Sequence, residues 1–347
     1  MFPLLQLPSS CIQNVADQWK TIELYEFSFL SKRAKEVSKR KKVDDSKVII
    51  DLNSRKIYFL KNGGNMRFEQ NRFVVHQRQP SSLDTDIILF LQATQNFLNI
   101  TNCRFETVYF NLKPPLTIDQ LIMTIDWMNG LQNEIRKVVI FRATWQMFEI
   151  FINRFRKSIN QLLAPYGGLK WDGIVQKRLK FEIKESFCSN PSQWFHLDFL
   201  FNMDTEQISA EKIDMSAQDL NVFLRSWQEG KTNRNLEKID FVTCSKIDVK
   251  EVLKGCGGVL MDPRTTKVMA QKSGRYFLND VWIRGGIHIR RNDGRLAVIQ
   301  TSSYEYWKKG ENAKKGHVEK YLKILEVWNS EDNSEKWMEK VFFIYII

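Results

Sequence analysis

Ser216–Phe241 reads SAQDLNVFLRSWQEGKTNRNLEKIDF, and this stretch decides the fold class. Ser216 with Asp219 three residues on is a helix start: the hydroxyl can accept from an unpaired backbone N–H while the carboxylate reaches back. Leu220, Phe223, Leu224 and Trp227 then fall at i, i+3, i+4 and i+7, the spacing of a buried helical stripe. Gly230 stops the helix. A strand-like run precedes it (Lys212–Met215) and another follows (Leu236–Phe241). Strand, helix, strand in close succession predicts an α/β fold.

An earlier part of the chain repeats the arrangement. Thr117 and Gln120 form a second capping box, Ile118, Leu121, Ile122 and Ile125 share one face, and Gly130 occupies the place of a left-handed C-cap. Strand-like Thr107–Leu112 and Val138–Phe141 flank it, and a further helix carries Trp145, Phe148, Ile152, Phe155 and Ile159 on one face. Phe105-x-x-Val108-x-Phe110, Ile135-x-x-Val138-x-Ile140 and Leu236-x-x-Ile239-x-Phe241-x-x-Cys244 fit a leucine-rich pattern. Trp194-x-x-Leu197-x-Phe199-x-x-Asn202 fits too, but lies too close to Met215 to be a repeat. Units of this kind cannot bury their faces alone, so covers are expected at both ends.

Outside these units, Val48–Leu52 and Lys56–Leu60 flank Asn53-Ser54-Arg55 as a hairpin. Gly286–Arg291 and Arg295–Ile299 flank Asn292-Asp293-Gly294, a strong turn signal. Ser330–Lys340 reads as a mobile charged tail, and Val341–Ile347 as an apolar end of undecided role.

Hydrophobic residues at 43% and charged residues at 27% of 347 argue against wholesale disorder. No apolar run reaches the ~18–20 residues of a membrane helix. The start, MFPLLQLP, has no basic leader and meets two prolines, so no secretory signal is expected; Asn99-Ile100-Thr101 is then a sequon without consequence. Five scattered cysteines predict reduced thiols and a cytoplasmic or nuclear setting.

The net charge of +12 is concentrated: +6 lies between Lys32 and Lys42 (seven basic, one acidic) and +8 between Lys246 and Lys320 (sixteen basic, eight acidic), leaving −2 elsewhere. Both segments read first as solvated faces; an alternative is a binder of nucleic acid or of acidic surfaces, although no zinc-finger, RNP-type or basic-zipper motif accompanies them. Lys39-Arg40-Lys41-Lys42 offers a weak nuclear-import signal. Enzyme signatures are missing: there is no GxGxxG, phosphate loop, HExxH or GxSxG, and Gly255-Cys256-Gly257-Gly258 reads as a turn. His76, His196, His288 and His317 have no metal-ligand spacing. No catalytic residue, metal or cofactor is expected.

The first forty residues predict three short helices. Leu7-Pro8 sets an extended entry; Ile12, Val15 and Trp19 recur at helical spacing; Thr21 caps a second helix carrying Leu24, Phe27 and Leu30; Ala34 and Val37 continue a third. So small a module buries little surface alone, which points to a partner.

Two segments carry family resemblances. Leu7-Pro8, Ile12, Val15, Trp19, Leu24, Phe27, Leu30-Ser31-Lys32 and Val37 resemble the F-box over about residues 2–42, with Trp19 where Leu is usual and Lys20-Thr21 in place of an Asp-Pro corner. Leu220-Asn221, Phe223-Leu224, Trp227, Gly230, Asn233 and Leu236 resemble the core motif of the F-box-associated (type 2) domain of large nematode families. Arg290-Arg291-Asn292-Asp293-Gly294-Arg295-x-Ala297-x-Ile299 resembles that domain's closing segment.

The resemblance implies a substrate-recognition adaptor of a Skp–cullin–F-box ubiquitin ligase. Leu7, Pro8, Ile12, Val15, Trp19, Leu24, Phe27 and Leu30 would meet the Skp-type linker subunit and, through it, a cullin. A client of unknown identity would bind the distal domain; Tyr109, Asp214 and Asp240 are the strand positions guessed to face it. Leu220, Asn221, Phe223, Leu224, Trp227, Gly230, Asp293 and Gly294 are expected to be structural. A scaffold with a degenerate F-box is a further alternative. The expected organisation is a three-helix F-box (1–42), a β-rich connector with a hairpin (43–104), an F-box-associated domain of irregular leucine-rich-repeat-like strand–helix units with a C-terminal β-hairpin region (105–300), and a polar tail with an apolar end (301–347).

Overall fold

The computed structural model describes residues 6–19, 21–40, 47–51, 56–60, 73–74, 83–101, 104–112, 116–132, 134–166, 179–271, 280–301, 311–330 and 335–347. The chain is mixed α/β and divides into two units, Met1–Asn160 and Gln161–Ile347. That division falls inside the span 105–300 expected as one domain. No helix of the described residues is long and apolar enough to cross a membrane.

The first unit opens with α1 (Ser9–Ala16), α2 (Thr21–Phe27) and α3 (Lys32–Arg40). Next come β1 (Lys47–Asp51), β2 (Lys56–Leu60), β3 (Phe73–Val74) and α4 (Leu83–Thr101), then β4 (Arg104–Asn111), α5 (Ile118–Gly130), β5 (Ile135–Phe141) and α6 (Trp145–Arg154). The β1–β2 hairpin forms antiparallel as expected, while its turn Asn53-Ser54-Arg55 lies outside the described residues, as does nearly half of the 43–104 connector. β4 runs parallel to both β1 and β5, with Val108 opposite Val138 and Phe110 opposite Ile140. Side chains alternate across a strand. One face of β4 therefore buries Val108 and Phe110, and Phe110 meets Phe151 of α6 with ring centres 5.3 Å apart.

The Thr117 capping box forms in full: Thr117 Oγ1 accepts from the Gln120 amide at 3.2 Å, and Gln120 Oε1 accepts from the Thr117 amide at 3.2 Å. Gly130, however, stays within α5, and Leu131 in extended conformation ends the helix. The next helix is shorter than its apolar spacing suggested. It ends at Arg154; Phe155 becomes its extended C-cap and Ile159 starts a strand, so burial there comes from the core and not from helical periodicity.

The second unit contains β6 (Ile159–Tyr166, which starts at the end of the first unit), β7 (Ile183–Asn190), α7 (Leu197–Phe201), β8 (Gln207–Ile213), α8 (Ala217–Gln228), β9 (Lys238–Asp248) and α9 (Val249–Val252). It continues with β10 (Val259–Met261), β11 (Lys267–Gln271), β12 (Val281–Arg284), β13 (Gly286–Arg290), β14 (Leu296–Gln300), α10 (Lys315–Asn329) and β15 (Met338–Ile346). Its strand order is β10-β13-β14-β15-β9-β8-β7-β6, with a separate β11–β12 ribbon. β7, β8 and β9 are parallel neighbours, and β15, β14, β13 and β10 continue the sheet antiparallel.

Two expectations change here, and one dismissed match is explained. The stretch 301–347 is no polar tail: α10 forms, and β15 pairs with β9 on one side and β14 on the other. Phe342, Phe343, Ile344, Tyr345 and Ile346 are buried because a central strand loses water on both faces. The strand before α8 is Gln207–Ile213 and not Lys212–Met215; Lys212 has φ +58 at a register shift between Glu211 and Ile213, beyond which only Ile213 still pairs, opposite Thr243. The leucine-rich match at Trp194–Asn202 is helical, and Trp194, Phe195 and Phe199 are core, ringed around Phe187.

Candidate functional site

The N-terminal module builds its own core. Ser31 caps α3 through the Ala34 amide at 3.0 Å, and Arg33 donates to the Leu7 carbonyl at 2.7 Å, tying the third helix to the entry. The Ser38 hydroxyl donates to the Leu24 carbonyl at 2.9 Å. Ile12, Ala16, Leu24, Phe27, Ala34 and Val37 cluster together, flanked by Leu7 and Trp19. Trp19 meets Phe27 edge-on at 4.7 Å, so the larger ring fills space inside the module.

The expected linker-facing residues divide by burial. Ile12, Leu24 and Phe27 are 0%, 1% and 6% exposed and lie in the module's own core. Of the expected set, Val15 at 37% and Leu30 at 67% are exposed, and Pro8 is exposed at the start of α1. Phe29, which sequence reasoning missed, is 63% exposed, with its ring 4.7 Å from Tyr25. Tyr25 itself is buried, and burial pushes its hydroxyl pKa up. Phe29 falls at i+5, one residue before Leu30 and off the i, i+3, i+6 stripe, so the spacing did not mark it.

In the second unit, α8 and the β13–β14 turn form a second constellation. The Ser216 capping box is complete, with Asp219 N to Ser216 Oγ at 3.1 Å and Ser216 N to Asp219 Oδ2 at 2.9 Å. Leu220, Phe223, Leu224 and Trp227 are all buried, the core role the stripe predicted. Asn221 points elsewhere: its amide donates to the carbonyls of Val252 and Lys254 at 2.9 and 2.8 Å, pinning the end of α9. At the other end Gly230 has φ +72, Gly230 N bonds Trp227 O, and Lys231 N bonds Ser226 O, a Schellman C-cap.

The α8 C-terminus then receives the hairpin. Gln228 donates from one amide nitrogen to the carbonyls of Cys256 (2.9 Å) and Arg290 (3.0 Å), while the Asn292 amide donates to the Gln228 carbonyl at 2.9 Å. Buried Arg291 lies over the Trp227 ring, and its Nε is 3.2 Å from Asp293. Burial, then Arg295, then Arg234 lower the pKa of Arg291, against the pull of Asp293. Gly294 takes φ +94 at the turn. Asn233, at φ +49, donates to the carbonyls of Leu200 and Met203. The two resembling segments, far apart in sequence, thus meet at one point.

Residues 174–241 match the family model described as F-box associated. The matched segment takes in α8, Gly230 and Asn233 and ends in β9; the hairpin residues 290–299 and the N-terminal module lie outside it. No curated protein and no solved structure matches the chain.

The strand positions guessed to face a client fare differently. Tyr109 is half-buried and stacks on Phe141 at 5.7 Å. Asp240 is not exposed: its carboxylate, 16% accessible, pairs with Lys238 at 2.8 Å beside Tyr345. Asp214 is exposed but lies past the end of β8. Among the described residues no group of His, Cys, Asp or Glu is placed to hold a metal ion, and Cys11, Cys188, Cys244 and Cys256 are thiols outside any disulfide.

Proposed function

We propose that the chain is the substrate-recognition adaptor of a Skp–cullin–F-box ubiquitin ligase, of the nematode type with a type 2 F-box-associated domain. One observation carries this reading: a small helical module covers its own core yet leaves Leu30, Phe29 and Val15 at 67%, 63% and 37% exposure, on a chain with an F-box-associated segment. Large apolar side chains each recover ~1.5–3 kcal/mol when a partner covers them, offset by the cost of association. The module would dock the linker subunit as an F-box, and the second unit would hold the client. The parallel run β7, β8, β9 supports an irregular strand–helix repeat as the client platform. Such an adaptor is non-catalytic and works in the cytoplasm or nucleus.

The test is co-purification of the full chain with the linker subunit. Val15→Asp and Leu30→Asp place a carboxylate where a partner would exclude water, and binding should drop at least tenfold while the melting temperature holds. Linker binding unchanged in both variants rejects the docking face.

A further inference from the structure

The β13–β14 turn carries more positive charge than its capping role uses. Arg234, Arg290, Arg291 and Arg295 gather there against Asp204 and Asp293. Arg234 Nε donates to the Gly230 carbonyl at 3.3 Å, Arg295 Nη2 to the Arg234 carbonyl at 2.6 Å, and Arg290 Nη1 to the Gly294 carbonyl at 3.5 Å. Asp293 is shared, 3.2 Å from Arg291 and 3.4 Å from Arg295, and Asp204 is held by the amide and side chain of Asn235. Each guanidinium has five N–H donors. The bonds named use one or two per residue, and Arg234 and Arg290 are exposed. Arg295 is therefore oriented by a short backbone contact, and Arg234 and Arg290 by longer ones from exposed positions.

We infer that Arg234, Arg290 and Arg295, anchored around buried Arg291, form a binding site for an acidic peptide segment, the chemistry by which a client is recognised. Charge complementarity argues for the anion: four guanidiniums face two carboxylates at one turn, and planar guanidinium forks suit carboxylate and phosphate oxygens. Burial is the main cause of the lowered Arg291 pKa, and Arg295 and Arg234 lie near enough to add to it. A peptide fits better than a nucleic acid. A polyphosphate strand tracks a continuous cationic groove with aromatic platforms. Here Asp204 and Asp293 interrupt the positive surface, and the aromatic ring at the array, Trp227, is buried. Calling the peptide a client rests on the adaptor function proposed above; the anion site itself does not.

The experiment is fluorescence anisotropy with the full chain and a labelled Glu/Gly decapeptide at low and physiological salt. The expected result is binding that weakens with salt and falls at least tenfold in the R234Q/R290Q/R295Q variant. Arg290→Glu alone, at an exposed side chain, should weaken binding at least threefold with an unchanged melting temperature. K32Q/K35Q/R40Q removes equal charge from the N-terminal module and should leave binding within twofold. Loss of less than twofold in the first variant, or equal loss in the control, overturns the site. A labelled oligouridine that binds as tightly and loses affinity in the same variant overturns the peptide assignment. A phosphoserine version separates the two anion sources: tighter binding assigns phosphate, equal binding carboxylate, and both support the site. Linker co-purification should persist in R234Q/R290Q/R295Q. Its loss in Leu30→Asp with peptide binding intact separates the two functions, whereas peptide binding absent with linker binding intact rejects this inference alone.

Discussion

Arg291 holds its guanidinium carbon 5.7 Å from the centre of the Trp227 ring, joining a hairpin turn to the helix end that precedes it by some sixty residues. The contact is desolvated, since both side chains are buried. Arg291→Ala should cost about 1–3 kcal/mol through lost cation–π contact, lost packing and the loss of one of the two arginines paired with Asp293. Arg291→Lys should restore only part of it, because an ammonium cannot lie flat on the ring while reaching Asp293. Denaturant unfolding of the three proteins checks the order.

Two glycines at helix ends should respond with opposite sign. Gly230→Ala forces a Cβ into φ +72 and to within 3.3 Å of Arg291 Nη2, so a loss of about 1 kcal/mol or more is expected. Gly130 is helical with nothing within 4 Å of an added Cβ, so Gly130→Ala should stabilise by about 0.5–1 kcal/mol. Melting curves of both variants test the pair.

Asn233 combines a left-handed backbone with two side-chain bonds to the Leu200 and Met203 carbonyls. Asn233→Gly keeps the conformation and loses the bonds; Asn233→Ala loses both and should be the worse, by about 1 kcal/mol. Equal stability of the two would show that the backbone conformation contributes nothing.

In the N-terminal module, stability and docking should separate. Leu24→Asp buries a carboxylate without a partner and should unfold the three helices at a cost of about 3 kcal/mol or more. Leu30→Asp, at an exposed position, should change stability by under about 0.5 kcal/mol. Amide exchange across α1 to α3 distinguishes the two.

His288 gives the second unit a pH dependence of known sign. Burial, with Arg290 nearby, holds its pKa below the usual histidine value, although its Nε2 lies 3.3 Å from the Gly285 carbonyl. The unfolded chain therefore takes up this proton more readily than the folded one. This contribution to stability should be constant above the ordinary histidine pKa of about 6.5 and decline as pH falls below it. His288→Gln should flatten the melting temperature between pH 7.5 and pH 5.5; an equally steep profile in the variant would assign the dependence to other groups.

Much of this molecule was legible one segment at a time. Both capping boxes, the α8 stripe, the Gly230 stop and the Asn292-Asp293-Gly294 turn depend on residues within one helical turn or one hairpin, and such interactions are written in short-range spacing. Failures came where a neighbour distant in sequence took over. Phe155 and Ile159 kept helical spacing but left the helix, and Val341–Ile347 became a central strand because β9 and β14 offered two open edges.

The candidate sites divide along the same line. Spacing alone marks Ile12, Leu24 and Leu30 as equally apolar helical positions, but only packing decides that two are core and one faces water. Likewise, the arginines near 234 and 290–295 are plain in the sequence, while their convergence on the end of α8 exists only once the sheet brings the hairpin to it. Local order follows from neighbouring residues through short hydrogen bonds; which faces remain free to bind is settled by what the rest of the chain covers.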